Sequence, residues 1–326
     1  MLAISDSGLQ KHSIYWFDDA SLVLHVQAVL FRVHLPLLER HSPFIASLEK
    51  TSSSYEQISI VIESSAPLVY VTFGEERPVR DTDVEALLEH MYHDLPLSSD
   101  SPFERVVAVL RSSSPSQLHL PALHAKAKQY FSSMFTTKML ATSTPGDLHE
   151  ALSIARSLRL ESVLKVVLYQ IMVSSNLDDE TAHPTDTQMT NASQPLSSQS
   201  ATSTENKNPL ENVRRLPGAD IQLCKSLMTQ IIDYFTPILF TPAATPHMTC
   251  TDVFADTWMP LVISPAIEND GVYKPIETLE RMKQIDWASH GLCGACVAEK
   301  CEEWSEEQEN VWALVEKLLK AESSII

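Results

Sequence analysis

Strict apolar alternation is confined to the first 75 or so residues of this 326-residue chain, and it limits any sheet to that part. Leu22, Leu24 and Val26 alternate, a break follows at Gln27-Ala28, and Val29, Phe31 and Val33 alternate again. Period-two apolarity across a two-residue break describes a hairpin with one buried face. Strand character returns in Ile58–Ile62 and in Leu68–Phe73, where β-branched and aromatic residues dominate. Both runs are expected to join the hairpin in a small mixed sheet.

Helical signals fill the intervals. Pro36 occupies a first-turn position before Leu37, Leu38 and His41, and Ser42-Pro43 reads as a cap with a first-turn proline for a second short helix carrying Phe44, Ile45 and Leu48. Thr82-Asp83-Val84-Glu85 has capping-box spacing, with Val84, Leu87, Leu88 and Met91 on one helical face. Further helices are expected over 102–111 and 121–135, the second with Leu123, Ala127, Tyr130, Phe131 and Met134 inward. A helical pair is expected over 147–173, with Leu152, Ala155 and Leu158 and then Val163, Val167 and Ile171 facing inward.

From 174 to 212 the chain is mostly polar, with almost no apolar side chains, and cannot bury enough surface to offset the entropy of ordering. A disordered linker is expected there, and the Asn191-Ala192-Ser193 sequon inside it is read as chance. Beyond it, Ile221, Cys224, Leu227, Met228, Ile231, Ile232, Phe235 and Ile238 recur at helical spacing. A final helix carries Trp304, Val311, Trp312, Val315, Leu318 and Leu319, with Glu302, Glu303, Glu306, Glu307 and Glu309 mostly toward water. The stretch between them, containing Trp258 and Trp287, reads as irregular and proline-interrupted. The expected class is α+β, with three parts: a domain over 12–173 including a helical extension, the linker over 174–212, and a helical region over 213–326.

Composition narrows the function. Twenty-four basic against 42 acidic residues give a net charge of -18, which repels phosphate backbones and anionic membranes, so neither nucleic acid nor membrane is an expected partner. Seven glycines form no phosphate-cradling run, and no nucleophile elbow or His-Glu-x2-His pattern occurs. The first residues lack the basic and apolar regions of a secretory signal, and five scattered cysteines form no even disulfide framework, so cytoplasm or nucleus is expected.

Asp19-Ala20-Ser21 before the first strand of the hairpin, Phe31-x-Val33-His34 at the end of the second, Leu38-x3-Ser42-x-Phe44, and Val84-x2-Leu87-Leu88-x3-Tyr92 fall in one order and register over about 75 residues. In this they resemble the BTB (POZ) domain. Trp258, Asp286-Trp287, Gly291-Leu292-Cys293-x2-Cys296 and the helix of Trp312 are similar to the C-terminal region of BTB proteins numerous in mushroom-forming fungi. The resemblance implies a small mixed sheet capped by short helices, and a role in partner binding and homodimerisation. The position after His34, often basic in the family, is Leu35, so the charged pocket of some transcription-regulating members is not expected. Asp19 is expected to cap the hairpin entrance and His34 to bond backbone groups at the strand-to-helix junction, both as structural residues.

The expected function is therefore a non-catalytic protein-protein interaction module, with Tyr15, Trp16, Leu37 and Leu38 as dimer contacts or, equally, as core. A substrate adaptor for a cullin-based ubiquitin ligase is the alternative, with 147–173 as the scaffold-binding extension. A zinc- or thiol-dependent enzyme and a transcriptional regulator rank lower. Cys293 and Cys296 have knuckle spacing, and Cys250, Cys301 or His290 could complete a zinc set. A second tight cysteine pair is missing, Cys250 reads as part of a proline-bounded loop, and no metal or cofactor is expected. Redox activity is not expected either, because only Lys300 stands near these thiols among glutamates.

Overall fold

A computed structural model of the chain describes residues 8–48, 57–63, 66–73, 78–136, 146–174 and 217–323. Apart from Ser174, the expected linker lies outside the described residues. The chain divides into two compact units, Met1–Met139 and Leu140–Ile326. The division differs from the sequence expectation, since it assigns the helical pair near 147–173 to the second unit. Strands occur only in the first unit among the described residues, and the class is α+β. No helix among the described residues is long and apolar enough to cross a membrane.

In the first unit, β1 (Gln10–Trp16), β2 (Leu22–Val26), β3 (Val29–Val33), β4 (Gln57–Glu63) and β5 (Ala66–Thr72) form a mixed sheet in the order β1-β3-β2-β5-β4. The hairpin pairs Leu24 with Phe31 and Val26 with Val29, turning through Gln27 at φ 54°. Val23 is as fully buried as Leu22 and Leu24. The expected single buried face is thus too narrow a reading, because β2 is central and β5 lies parallel on its other side.

β1 was not legible as a strand. Lys11, His12 and Ser13 show no alternation, and the pairing with β3 shifts register between Lys11 and Trp16. The irregularity is held by His12, whose Nδ1 accepts the backbone N–H groups of Ile14 at 3.2 Å and Tyr15 at 3.0 Å. Its ring stacks on Phe31 at 4.8 Å. A side chain bonded back to its own strand in this way replaces ladder partners that the bulge removes.

Helices α1 (Leu35–Glu39) and α2 (Pro43–Ser47) follow the hairpin. Ser42 caps α2 as expected, accepting the Ile45 N–H at 3.0 Å, and its hydroxyl donates to the Leu118 carbonyl at 2.5 Å. Among the described residues, three helices complete the unit: α3 (Asp81–Met91), α4 (Phe103–Ser112) and α5 (Pro121–Met134). The expected capping box does not form, since α3 begins at Asp81 behind Arg80. Asp83 instead turns inward, only 1% exposed, and accepts two hydrogen bonds from Arg111 at 2.9 and 2.8 Å and one from Arg80 at 3.2 Å. A carboxylate taken out of water needs cationic donors on both sides, and this requirement outweighs the local capping preference. α4 buries Phe103 and the run Val106–Leu110, so it is apolar nearly all round and central to the unit.

The second unit contains α6 (Leu148–Ser157), α7 (Glu161–Ser174), α8 (Gly218–Phe240), α9 (Met248–Trp258), α10 (Ser264–Glu268), α11 (Pro275–Gln284) and α12 (Gly294–Ser323). The region around Trp258 expected to be irregular is helical. α9 continues through a π-helical turn, Met259–Ile263, into α10. Pro260 and Pro265 cannot donate and would crowd an α-helix, and the wider turn accommodates them without ending the helix. Phe254, Trp258, Trp287 and Trp304 pack with ring centres 4.9 to 6.4 Å apart at the centre of the core. Both innermost indoles find acceptors at helix ends: Trp258 Nε1 donates to the Leu239 carbonyl at 2.9 Å and Trp287 Nε1 to that of Met282 at 2.8 Å. α7 joins this unit through Tyr169, whose hydroxyl donates to Glu277 at 2.7 Å and whose ring lies 5.1 Å from that of Trp312. Arg156 of α6 pairs with the buried Asp220 of α8.

Arg111→Leu leaves Asp83 buried with Arg80 as its remaining cation, and should lower the stability of the first unit by about 3 kcal/mol. Hydrogen exchange of α3 and α4 in urea measures this; unchanged protection there would contradict the role assigned to the pair.

Candidate functional site

Two groups of polar and ionisable side chains converge, one in each unit. In the first unit the end of β3 brings His34 against the end of α3. The His34 backbone N–H donates to Tyr92 Oη at 3.0 Å, and His34 Nδ1 lies 2.9 Å from the same oxygen. The hydroxyl has one proton to give, so in the neutral ring it donates to Nδ1, and Nε2 carries the ring proton toward Asp19 Oδ2 at 3.4 Å. Phe17 packs on both rings, 5.2 Å from His34 and 5.1 Å from Tyr92. Tyr15 adds a third phenyl ring and donates to Asp94 at 2.8 Å. Burial raises the Tyr92 pKa first of all, with the Asp19 charge adding and the His34 N–H opposing.

Of the motif residues Asp19, Phe31, His34 and Ser42, the structure brings Asp19 and His34 together, with two changes of role. Asp19 faces His34; the hairpin entrance is closed by Arg32, which donates to the carbonyls of Ala20 at 2.9 Å and Asp18 at 2.5 Å. His34 bonds Tyr92 through both its backbone and its ring, a partner expected only as a core residue. Phe31 is fully buried beneath His12. Of the four expected dimer contacts, Tyr15 and Leu38 are each 1% exposed and belong to the unit's own core. Trp16 and Leu37 are half-buried, and Trp16 carries Lys11 Nζ 4.5 Å above its ring.

Leu37, Met91 and Leu123 line a cavity of about 290 Å³ with His41, His90 and Lys126. His90 Nδ1 accepts the Leu97 N–H at 2.9 Å, which ties the loop after α3 to the helix and commits that nitrogen. Burial holds the His90 pKa below its ordinary value, and Lys126, His93 and Arg105 add to the effect. His124 is likewise used structurally, its Nδ1 lying 3.0 Å from the Leu110 carbonyl.

In the second unit the ligand-type atoms of His247, Cys250, Cys293 and Cys296 all lie within 4.8 Å of one another. Cys250 is in the first turn of α9, in a helix and not in the loop expected for it, and His247 is the residue before that helix. Cys293 immediately precedes α12, and Cys296 is in its first turn. His247 Nδ1 is 3.3 Å from Cys293 Sγ and 3.5 Å from Cys296 Sγ. The Cys296 backbone N–H, followed by His247 and the Cys296 thiol, holds the Cys293 pKa down at about 6. Burial raises that of Cys296. The sequence singled out three of these four residues. His247 was missed, and its signal was the His247-x2-Cys250 spacing that repeats Cys293-x2-Cys296. Cys301 and His290, weighed as ligands from sequence, are not in the cluster.

Comparison with known proteins matches no family model to the chain and no curated sequence with significance.

Tyr92→Phe removes the hydroxyl that accepts from the His34 N–H and donates to its Nδ1, and should destabilise the first unit by about 1 to 2 kcal/mol, read from urea unfolding; no loss would show that the contact is idle. His90 titrates lower in the folded than in the unfolded chain. The unfolded chain therefore takes up protons first below about pH 6.5, and stability falls with acidification while its contribution is complete above that range. The drop in urea midpoint between about pH 7.5 and pH 5.5 should be smaller in His90→Gln than in the native chain, and equal drops would contradict this.

Proposed function

We propose that the chain is a non-catalytic protein-interaction protein whose BTB-like first unit pairs with a second copy of itself. The observation that carries this reading is where the BTB-like residues meet. Asp19, His34 and Tyr92 belong to three separated segments of the resemblance, and they converge to lock hairpin, α1 and α3 together. Ser42 likewise ties α2 to the segment before α5. The path of the chain gives further support: a hairpin, two short helices, a strand returning parallel beside β2, and a helical set.

Four of the eight histidines of this unit serve as scaffold. His12 holds the β1 bulge, His34 the junction with α3, His90 the following loop and His124 the end of α4. Ring nitrogens tied up in this way are poorly placed to shuttle protons to a substrate. Surface apolar groups supply a basis for pairing: Ile14 on edge strand β1 is 61% exposed, and Trp16 and Leu37 are partly covered. Burying an exposed side chain of this kind contributes at most about 1.5 to 3 kcal/mol before the cost of association, so pairing draws on a wider fitting surface around them. The helical pair α6–α7, which a cullin adaptor would use as an extension of its BTB core, is built into the second unit by Tyr169 and Arg156. Self-association is therefore the preferred reading.

Light scattering of the full chain after gel filtration should give twice the chain mass, and Ile14→Asp combined with Leu37→Asp should return the single-chain mass without loss of helical circular dichroism. A native chain that stays monomeric up to about 100 μM would overturn the proposal.

A further inference from the structure

The geometry points to a closed, tetrahedral zinc site made by His247, Cys250, Cys293 and Cys296. Three thiolates and one imidazole are a donor set suited to zinc, and four protein ligands leave no open position, which marks a structural and not a catalytic centre. A zinc ion at about 2.3 Å from sulfur and 2.0 to 2.1 Å from nitrogen requires nitrogen-to-sulfur edges near 3.6 Å. The His247 edges to Cys293 and Cys296 are 3.3 and 3.5 Å, and all four donors fall within 4.8 Å. Cys250, Cys293 and Cys296 are not joined by disulfides, so no S–S bond competes for their sulfurs.

The local fold explains how the donors meet. Each pair has the form donor-x2-Cys and straddles the start of a helix, α9 for His247 and Cys250, α12 for Cys293 and Cys296. Two residues between donors let both reach one point across a single turn. Backbone N–H groups at a helix start also favour thiolate over thiol. Two positive helix ends brought side by side would repel, and thiolates around a cation neutralise that arrangement. Cys250 and Cys296 are buried in the same core as Trp258, Trp287 and Trp304, while His247 is exposed at the rim. The ion would therefore fasten α9 to α12 at one edge of the tryptophan core, and its binding energy would add to the folding of the second unit.

The test uses the full, tag-free chain purified under reducing conditions after growth with zinc. Elemental mass spectrometry should find about one zinc per chain, released in step with titration of the thiols by a mercurial reagent. Cys301→Ser, outside the cluster, should keep the metal. Cys296→Ser and His247→Ala should lose most of it, and His247→Cys, which restores a fourth donor, should regain it. Should the losing variants fail to fold, the native chain still decides: exchange with Co2+ should give the strong visible absorption and thiolate charge-transfer bands of a tetrahedral cobalt site. Zinc below about 0.1 per chain after reconstitution, or cobalt bands of an octahedral aqua ion, would overturn the proposal. So would rapid stoichiometric alkylation of Cys293 in zinc-treated protein, which would identify a free thiol-imidazole pair.

Discussion

A polar group taken into an apolar interior must find its partner there, and this requirement fixes which segments meet in both units. In the first, the carboxylate of Asp83 draws Arg111 of α4 and Arg80 to the start of α3. In the second, the N–H groups of Trp258 and Trp287 reach the carbonyls of Leu239 and Met282, which lie near helix C-termini. Those carbonyls have no further helical N–H to accept. Leaving any of these groups unpaired would cost about 1 to 3 kcal/mol, more for the charge, so they select one packing among the many that would bury the same apolar area.

The same economy of partners shapes the functional reading. Four histidines of the first unit hold a bulge, a junction and two helix ends, and apolar side chains such as Ile14 are left at its surface. The second unit brings four ligand-type side chains to one point, where the starts of α9 and α12 come together. Recognition is thus proposed for one unit, while the other collects the ligands that would fasten its own core.

The elements that were legible from sequence were those whose burial follows a regular period. The hairpin, the Ser42 cap, the helices near 103–112 and 121–134, and the long helices of Trp304 and Ile221 repeat their apolar residues at strand or helix spacing. β1 was hidden because a bulge spoils its alternation, and α9 to α10 because prolines suggested a break where a π-helical turn absorbs them. Asp83 read as part of a capping box because local spacing says nothing of an arginine 28 residues away. Cys250 read as a loop cysteine because prolines bound its stretch, and two of its three neighbours in the cluster, Cys293 and Cys296, are more than 40 residues distant in the chain.

What the sequence determined by itself was the order and type of most of the described elements and, among the described residues, the restriction of strands to the first part. These are local properties, carried by side-chain period and by the chemistry of each residue. The tertiary structure decided the strand order, the assignment of α6 and α7 to the second unit, the pairing of His34 with Tyr92, and the recruitment of His247. Each of those depends on distances between segments far apart in the chain, which are set only when whole faces pack and buried polar groups choose their partners.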